Sequence, residues 1–299
     1  MRYTRQEKII GKSGQGKLIS STVAIIGVGA LGTATAELLT RAGIGKIILI
    51  DRDIIELSNL QRQLLFVTTD VGKPKATTAK NRLGEINPDV KVLAIDDDLD
   101  FENISKIKCD LILDCTDNLE TRFLINEYAK SNKIPWIYSA AVGNLGRVWV
   151  ITPTSPCFRC IFNETTGLAT CSSAGVLNTI TTSISAIQTT QAIKVLLGKD
   201  YEKNMITFNI WTNQMKVLKV KKNKNCPVCA KKYEYLTGKK KTEATKLCGS
   251  ELYQIKDKKI KVKGNFVRKK KITIFKGRAL VKAKSEKEAR SIFSKTVGN

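Results

Sequence analysis

Residues 21–62, SSTVAIIGVGALGTATAELLTRAGIGKIILIDRDIIELSNLQR, hold the first side chains whose types and spacing could do chemistry. Gly27-x-Gly29-x-x-Gly32 follows the apolar run Val23 to Ile26, and Asp51 closes a second apolar run 24 residues after the first glycine. Glycines so spaced suit a phosphate or ribose. Gly27 permits a tight turn, Gly29 lets backbone approach the ligand, and Gly32 allows close helix–strand packing. Asp51 would accept hydrogen bonds from ribose hydroxyls. Three further clusters follow: Asn59 and Arg62 in SNLQR, Lys75 in GKPK, and Asp114 and Asp117 in DCTDN. Arg62 and Lys75 suit a polyphosphate, and a carboxylate such as Asp117 suits Mg2+. The glycine loop alone would serve a dinucleotide oxidoreductase as readily as an ATP enzyme, but hydride transfer has no need of a cationic cluster with a metal carboxylate.

Cys157-x-x-Cys160 and Cys226-x-x-Cys229 form two pairs 65 residues apart. Two such pairs give the tetrahedral sulfur set typical of structural Zn2+, and four filled positions leave no open one for catalysis. Histidine is absent, which excludes histidine acid–base chemistry and histidine metal ligation. Cys171 stands just before a long apolar-striped segment, where a helix N-terminus could lower its thiol pKa; a covalent role and a spare thiol are both open readings. Cys109 and Cys115 flank an apolar run and read as packing residues; Cys248 has no evident role.

The elements that must carry these groups follow from periodicity. Strands are expected at Val23–Ile26, Ile47–Ile50, Val90–Ile95, Leu111–Asp114, Trp136–Ser139 and Gly146–Ile151. Between them lie helical stretches at 30–42, 76–86, 101–107 and 118–131. A long helix over 174–197 carries a stripe of Val176, Leu177, Ile180, Ile184, Ile187, Ile193 and Leu196. The alternation predicts an α/β fold, a doubly wound, mostly parallel Rossmann-like sheet with an antiparallel extension. The expected organisation is a main domain over 1–236, a linker at 237–246, and a small basic α+β module over 247–299. That module ends in a helix capped by Ser285 with Glu288.

The 299 residues carry a net charge of +24, and 42% of them are apolar. No apolar run spans a bilayer and no secretory signal is evident, so a cytoplasmic location is expected. In a reducing compartment paired cysteines point to metal rather than to disulfides. The basic C-terminal end suits an acidic protein partner or nucleic acid, or merely a lysine-rich proteome.

Taken in order, RYTRQ, GVGALG, LIDRD, LSNLQRQ, VGKPK, INP, DCTDN, CFRC, ATCSSAGVL and CPVC resemble the ThiF/MoeB/HesA family of ubiquitin-activating-enzyme-like adenylyltransferases. The resemblance implies that the C-terminal Gly-Gly of a ubiquitin-fold sulfur carrier attacks the α-phosphate of ATP, giving an acyl-adenylate and pyrophosphate. It implies a homodimer in which Arg5 reaches the partner subunit's phosphates. Asp51 would hold the ribose, Asn59, Arg62 and Lys75 the triphosphate, and Asp117 the Mg2+. It also implies structural Zn2+ on the four paired cysteines, and acyl or sulfur transfer through Cys171 in some relatives. A sulfur donor, if used, would be a separate protein. Ala30 departs from the family's common GxGGxG. The alternatives are a tRNA-modifying dehydratase of the same superfamily, with tRNA as partner, and more remotely an NAD-dependent oxidoreductase.

Overall fold

Short apolar runs rich in Ile, Val and Leu become strands buried on both faces, which is what a parallel sheet covered by helices requires. The computed structural model describes residues 2–164, 175–240, 252–257, 260–262, 264 and 266–297. They divide into two compact units, residues 1–240 and 241–299.

The first unit is built on an eight-stranded sheet. Its strands are β1 (Thr22–Ile26), β2 (Lys46–Ile50), β3 (Lys91–Ile95), β4 (Leu111–Asp114), β5 (Trp136–Val142), β6 (Leu145–Ile151), β7 (Met205–Asn209) and β8 (Gln214–Leu218). Their spatial order is β3-β2-β1-β4-β5-β6-β7-β8. The first five are parallel and the last three antiparallel. Strand order reverses between β1 and β4, the place where doubly wound sheets open a crevice beyond their carboxyl ends.

Helices cover both faces. Val23, Ile25, Ile47, Leu49, Leu111 and Leu113 face α1 (Thr4–Ser20), α2 (Ala30–Ala42), α3 (Lys75–Ile86) and α6 (Asn178–Leu197). Their neighbours Ala24, Ile26, Ile48, Ile50 and Ile112 face α4 (Leu119–Asn132) and the short α5 (Phe158–Ile161). Trp136, Tyr138, Trp149 and Phe158 are almost completely enclosed on that second face. Gly11, at φ 77°, kinks α1 in its middle.

Two helices differ from expectation. The stretch 101–107 holds only a 3-10 turn, Ile104–Lys106. The long helix begins at Asn178, because residues 175–177 pair with Gly143 instead: Gly143 N–H donates to Gly175 O, and Leu177 N–H to Gly143 O. The stripe was also incomplete. The buried face of α6 includes Thr181, Ser185, Gln188 and Thr189 beside Ile180 and Ile184. Cys171, Cys248 and residues 241–246 of the expected linker lie outside the described residues.

The second unit is an antiparallel sheet of β9 (Leu252–Lys256), β10 (Phe266–Lys269), β11 (Ile272–Phe275) and β12 (Arg278–Lys282), ordered β10-β11-β12-β9. Helix α7 (Glu286–Val297) packs Ala289, Ile292 and Phe293 on Tyr253, Ile272, Ile274 and Val281. Ser285 Oγ accepts the Glu288 N–H, while the Glu288 carboxylate accepts from Lys284 N–H. No helix among the described residues is long and apolar enough to cross a membrane.

Candidate active site

The glycine loop after β1 is fixed by steric necessity at two positions. Gly27 has φ 89°, and a Cβ there would lie 2.7 Å from Cys115 O in the loop after β4. A Cβ on Gly32 would lie 1.9 Å from Gly27 O. Gly29 is different, since a Cβ there would meet only Gln63 Nε2, at 3.8 Å. The protein's own packing does not need that glycine, whose absent side chain leaves room at the start of α2. No side chain caps α2 at Gly29, so its first-turn N–H groups remain available to an acceptor.

Asp51, at the end of β2, ties this loop to the next. Its Oδ2 accepts the Val28 N–H at 2.6 Å and its Oδ1 the Asp53 N–H at 2.7 Å. Burial raises its pKa from the ordinary value to about 6, against the pull of Lys75. Lys75 opens α3, is 7% exposed, and donates from Nζ to Asp53 Oδ2 at 3.1 Å. Burial alone would lower its pKa, but Asp53 and Asp51 outweigh it and hold the ammonium above its usual value. Asp53 Oδ1 is buried without a hydrogen-bond donor, with Arg52 Nε 4.0 Å away.

Asp117 follows β4 on the other side of the strand reversal. It is open to solvent yet walled by surrounding protein. That burial, and then Asp53, hold its carboxyl above the ordinary range against Lys75 and Arg122. Among the described residues it joins no ion pair. Its loop is anchored beneath by Asp114 and Arg122, paired at 3.0 Å with exposures of 0% and 5%. Asp114 Oδ1 accepts from the Thr116 N–H and hydroxyl, and Arg122 also donates to Thr116 O and Ser139 O. Gln188 on α6 completes the support. It donates to Asp114 O and Ile137 O and accepts from Thr35 Oγ1 and Cys115 Sγ.

Asn59 ends a 3-10 turn, Leu57–Asn59, and Arg62 lies three residues beyond it. Asn59 Oδ1 accepts the Glu56 N–H, and Arg62 Nη1 donates to Ser58 O at 3.0 Å. Gln63 brings this turn beside Gly29. Lys75 thus pairs with Asp53 and feels the charges of Asp51 and Asp117, while Gln63 sets the turn that carries Asn59 and Arg62 against the glycine loop. Arg5 does not join them; it is exposed on the first turn of α1.

Sequence reading passed over Asp53, although its place two residues after Asp51 puts both just beyond one strand end. It also passed over Arg122. The available signal was Asp114, a carboxylate in an otherwise apolar strand, which must find a cation nearby.

The paired cysteines converge on the far face. Sγ–Sγ separations are 3.8 Å for Cys157–Cys160, 3.5 Å for Cys157–Cys226, 3.6 Å for Cys160–Cys229 and 3.6 Å for Cys157–Cys229. Four thiolates at a Zn–S distance of about 2.3 Å around a tetrahedral ion stand about 3.8 Å apart, so the cluster fits zinc. Two adjacent residues of α4 brace it. Asn126 Oδ1 accepts the Phe158 N–H between the first two cysteines. The Glu127 carboxylate accepts the N–H groups of Glu234, Tyr235 and Leu236, just beyond the last cysteine. The Nδ2 of Asn126 is buried with no oxygen or nitrogen acceptor, and the group beside it is the Cys157 sulfur.

Comparison with known proteins agrees with this architecture. Residues 3–228 match the ThiF family. The chain is similar to a Bacillus subtilis (strain 168) sulfur carrier protein ThiS adenylyltransferase, with 41% identity covering 85% of this chain and 79% of that protein. It is similar to the SAMP-activating enzyme E1 of Haloferax volcanii, with 33% identity over 74% and 84%. It also resembles the molybdopterin-synthase adenylyltransferase of Escherichia coli (strain K12), with 35% identity over 77% and 96%. Among solved structures, E. coli MccB with ATP shares the fold at a TM-score of 0.67 and 23% identity, covering 77% of this chain and 75% of that one.

Proposed function

The chain belongs to the ThiF family, and on that premise we propose that it adenylates the C-terminal glycine carboxylate of a small ubiquitin-fold sulfur carrier, using ATP and releasing pyrophosphate. The observation that carries the reading is buried Lys75 paired with Asp53 and within the field of Asp51 and Asp117 at the strand reversal, in the same unit as a glycine loop with open space at Gly29. The tRNA dehydratase and NAD oxidoreductase readings are not favoured.

A terminal carboxylate is ionised at neutral pH, so attack on the α-phosphate needs no general base, consistent with a chain that has no histidine. What remains is to place two anions in line and to neutralise the charge that builds on the phosphates. Asp51 would orient the ribose, Lys75 and Arg62 would contact the phosphates, and the Asn59 amide would add a donor. Asp117 suits Mg2+, being open and, among the described residues, in no ion pair; the ion would supply further neutralisation. The four cysteines would hold Zn2+, which would cross-link the segment after β6 to the end of the first unit. A homodimer, in which Arg5 crosses to the partner subunit's site, and acyl transfer to Cys171 belong to the same reading.

The direct test is the intact mass of a Gly-Gly-terminated carrier incubated with the enzyme and MgATP. The carrier is expected to gain one AMP with pyrophosphate as co-product; release of ADP or phosphate would contradict the proposal.

Two predictions follow from the geometry. Asp51 must be ionised to accept two backbone N–H bonds and a ribose hydroxyl, and its pKa is about 6. The KM for ATP should therefore rise as pH falls from 7 to 5, and steady-state kinetics of Asp51→Asn should lack that rise. Asn126→Asp keeps an acceptor for Phe158 but loses the donor beside Cys157. Zinc affinity, titrated against a chromogenic chelator, should then be about 10- to 100-fold weaker, the usual effect of removing a partner of a metal ligand.

A further inference from the structure

The second unit concentrates positive charge to a degree the first does not. Residues 241–299 carry 18 Lys and Arg against 5 Asp and Glu, whereas residues 1–240 carry 33 against 22. A proteome-wide drift toward lysine would act on both alike.

Register shows where the charge collects. Lys269 pairs with Ile272 across β10 and β11, so Lys270 and Lys271 form a two-residue turn. Ile272 pairs with Val281, and Lys282 N–H donates to Lys271 O at 2.8 Å, which sets Lys282 opposite Lys271. Lys284 lies two residues on, with its N–H on the Glu288 carboxylate at the start of α7. Lys269, Lys270, Lys271, Lys282 and Lys284 therefore share one end of the sheet, and all are exposed. Glu288, 3.4 Å from Lys271, is the acidic side chain described there.

Local stability does not account for this arrangement. Like charges directly opposite across a ladder are unfavourable, and a two-residue hairpin turn favours Asn-Gly, not Lys-Lys. Lysines on an edge strand can guard against aggregation, but β12 is an inner strand, so that role does not extend to Lys282 and Lys284.

We propose that this lysine-rich end of the second unit binds the phosphate backbone of nucleic acid without reading its sequence. Protein interfaces are depleted in lysine at their centre and anchored by aromatic residues and arginine. Here, among the described residues of the unit, the large hydrophobic side chain exposed to solvent is Val267, at 37%. Lysines present point charges without the fork that reads base edges. The binding is independent of the adenylation chemistry.

The experiment uses the full-length protein and fluorescence anisotropy with a labelled 20-base-pair RNA duplex, its DNA counterpart, and poly-glutamate as competitor. Binding is expected for both duplexes at 50 mM salt, weakening as salt rises with a log–log slope of about −0.9 per phosphate contacted. The variant Lys269→Glu/Lys270→Glu/Lys284→Glu should bind at least tenfold more weakly with a shallower slope, while retaining the parent's thermal midpoint and pyrophosphate exchange. No duplex binding at 50 mM salt, unchanged binding by the variant, or displacement by poly-glutamate at equal charge concentration would overturn the proposal; the last would favour an acidic protein partner.

Discussion

Arg122→Ala is expected to destabilise the protein by about 3–5 kcal/mol, the range for removing one partner of a buried ion pair. Asp114 is fully enclosed and Arg122 is 5% exposed, so the truncated protein keeps a carboxylate with two Thr116 donors and no counter-charge. Burial already presses the Asp114 carboxyl upward, and Arg122 is the main opposing influence. Without it, the group should protonate in the folded state at a higher pH than in the unfolded chain. The destabilisation should therefore be fully present above that raised pKa and shrink as pH falls through it. Urea denaturation at pH 8 and pH 5 measures this, with the larger loss expected at pH 8. Arg122→Lys should fall between, because an ammonium restores the charge but not the fork that also reaches Thr116 O and Ser139 O. A urea midpoint unchanged in Arg122→Ala would contradict this account of the loop that carries Asp117.

Lys75→Ala should lower the rate of pyrophosphate exchange by about 10²–10³-fold, the scale for losing one preorganised charge-stabilising group. The effect has two sources. The ammonium that would meet the phosphates disappears, and Asp51, Asp53 and Asp117 lose the cation that offsets their mutual repulsion. The second source predicts that Asp51 titrates above about 6 in the variant, carrying the acid limb of ATP binding to higher pH. Lys75→Arg should restore charge but recover little rate, since Lys75 is almost fully enclosed and a guanidinium is bulkier. Near-ultraviolet circular dichroism separates this from unfolding. Exchange within threefold of the parent would contradict the role assigned to Lys75.

Much of this was legible from local sequence. β1, α2 and β2 were readable because apolar runs bracket the glycine loop and Gly43 ends the helix in a left-handed turn. The cysteine pairs were equally plain, since few other uses explain two CxxC units in a chain expected in a reducing compartment. The helix expected over 101–107 failed for a reason that periodicity does not register. Asp100 Oδ1 accepts the Glu102 and Asn103 N–H groups, and Asn103 Oδ1 accepts the Asp100 N–H, so side chains take up the backbone groups a helix would use. The buried polar face of α6 was hidden similarly. Ser185 and Gln188 are tolerated inside because Leu31 O, Asp114 O and Ile137 O await them, partners distant in sequence. Asp53 was missed because its importance depends on α3 folding back to bring Lys75 against it.

The central claim is best tested by ATP–pyrophosphate exchange with radiolabelled pyrophosphate, with and without a Gly-Gly-terminated carrier. Exchange is predicted to require the carrier, to vanish in Asp117→Ala, and to survive in Cys171→Ala. Absence of exchange with every such carrier, or full exchange in Asp117→Ala, would contradict adenylation at this site.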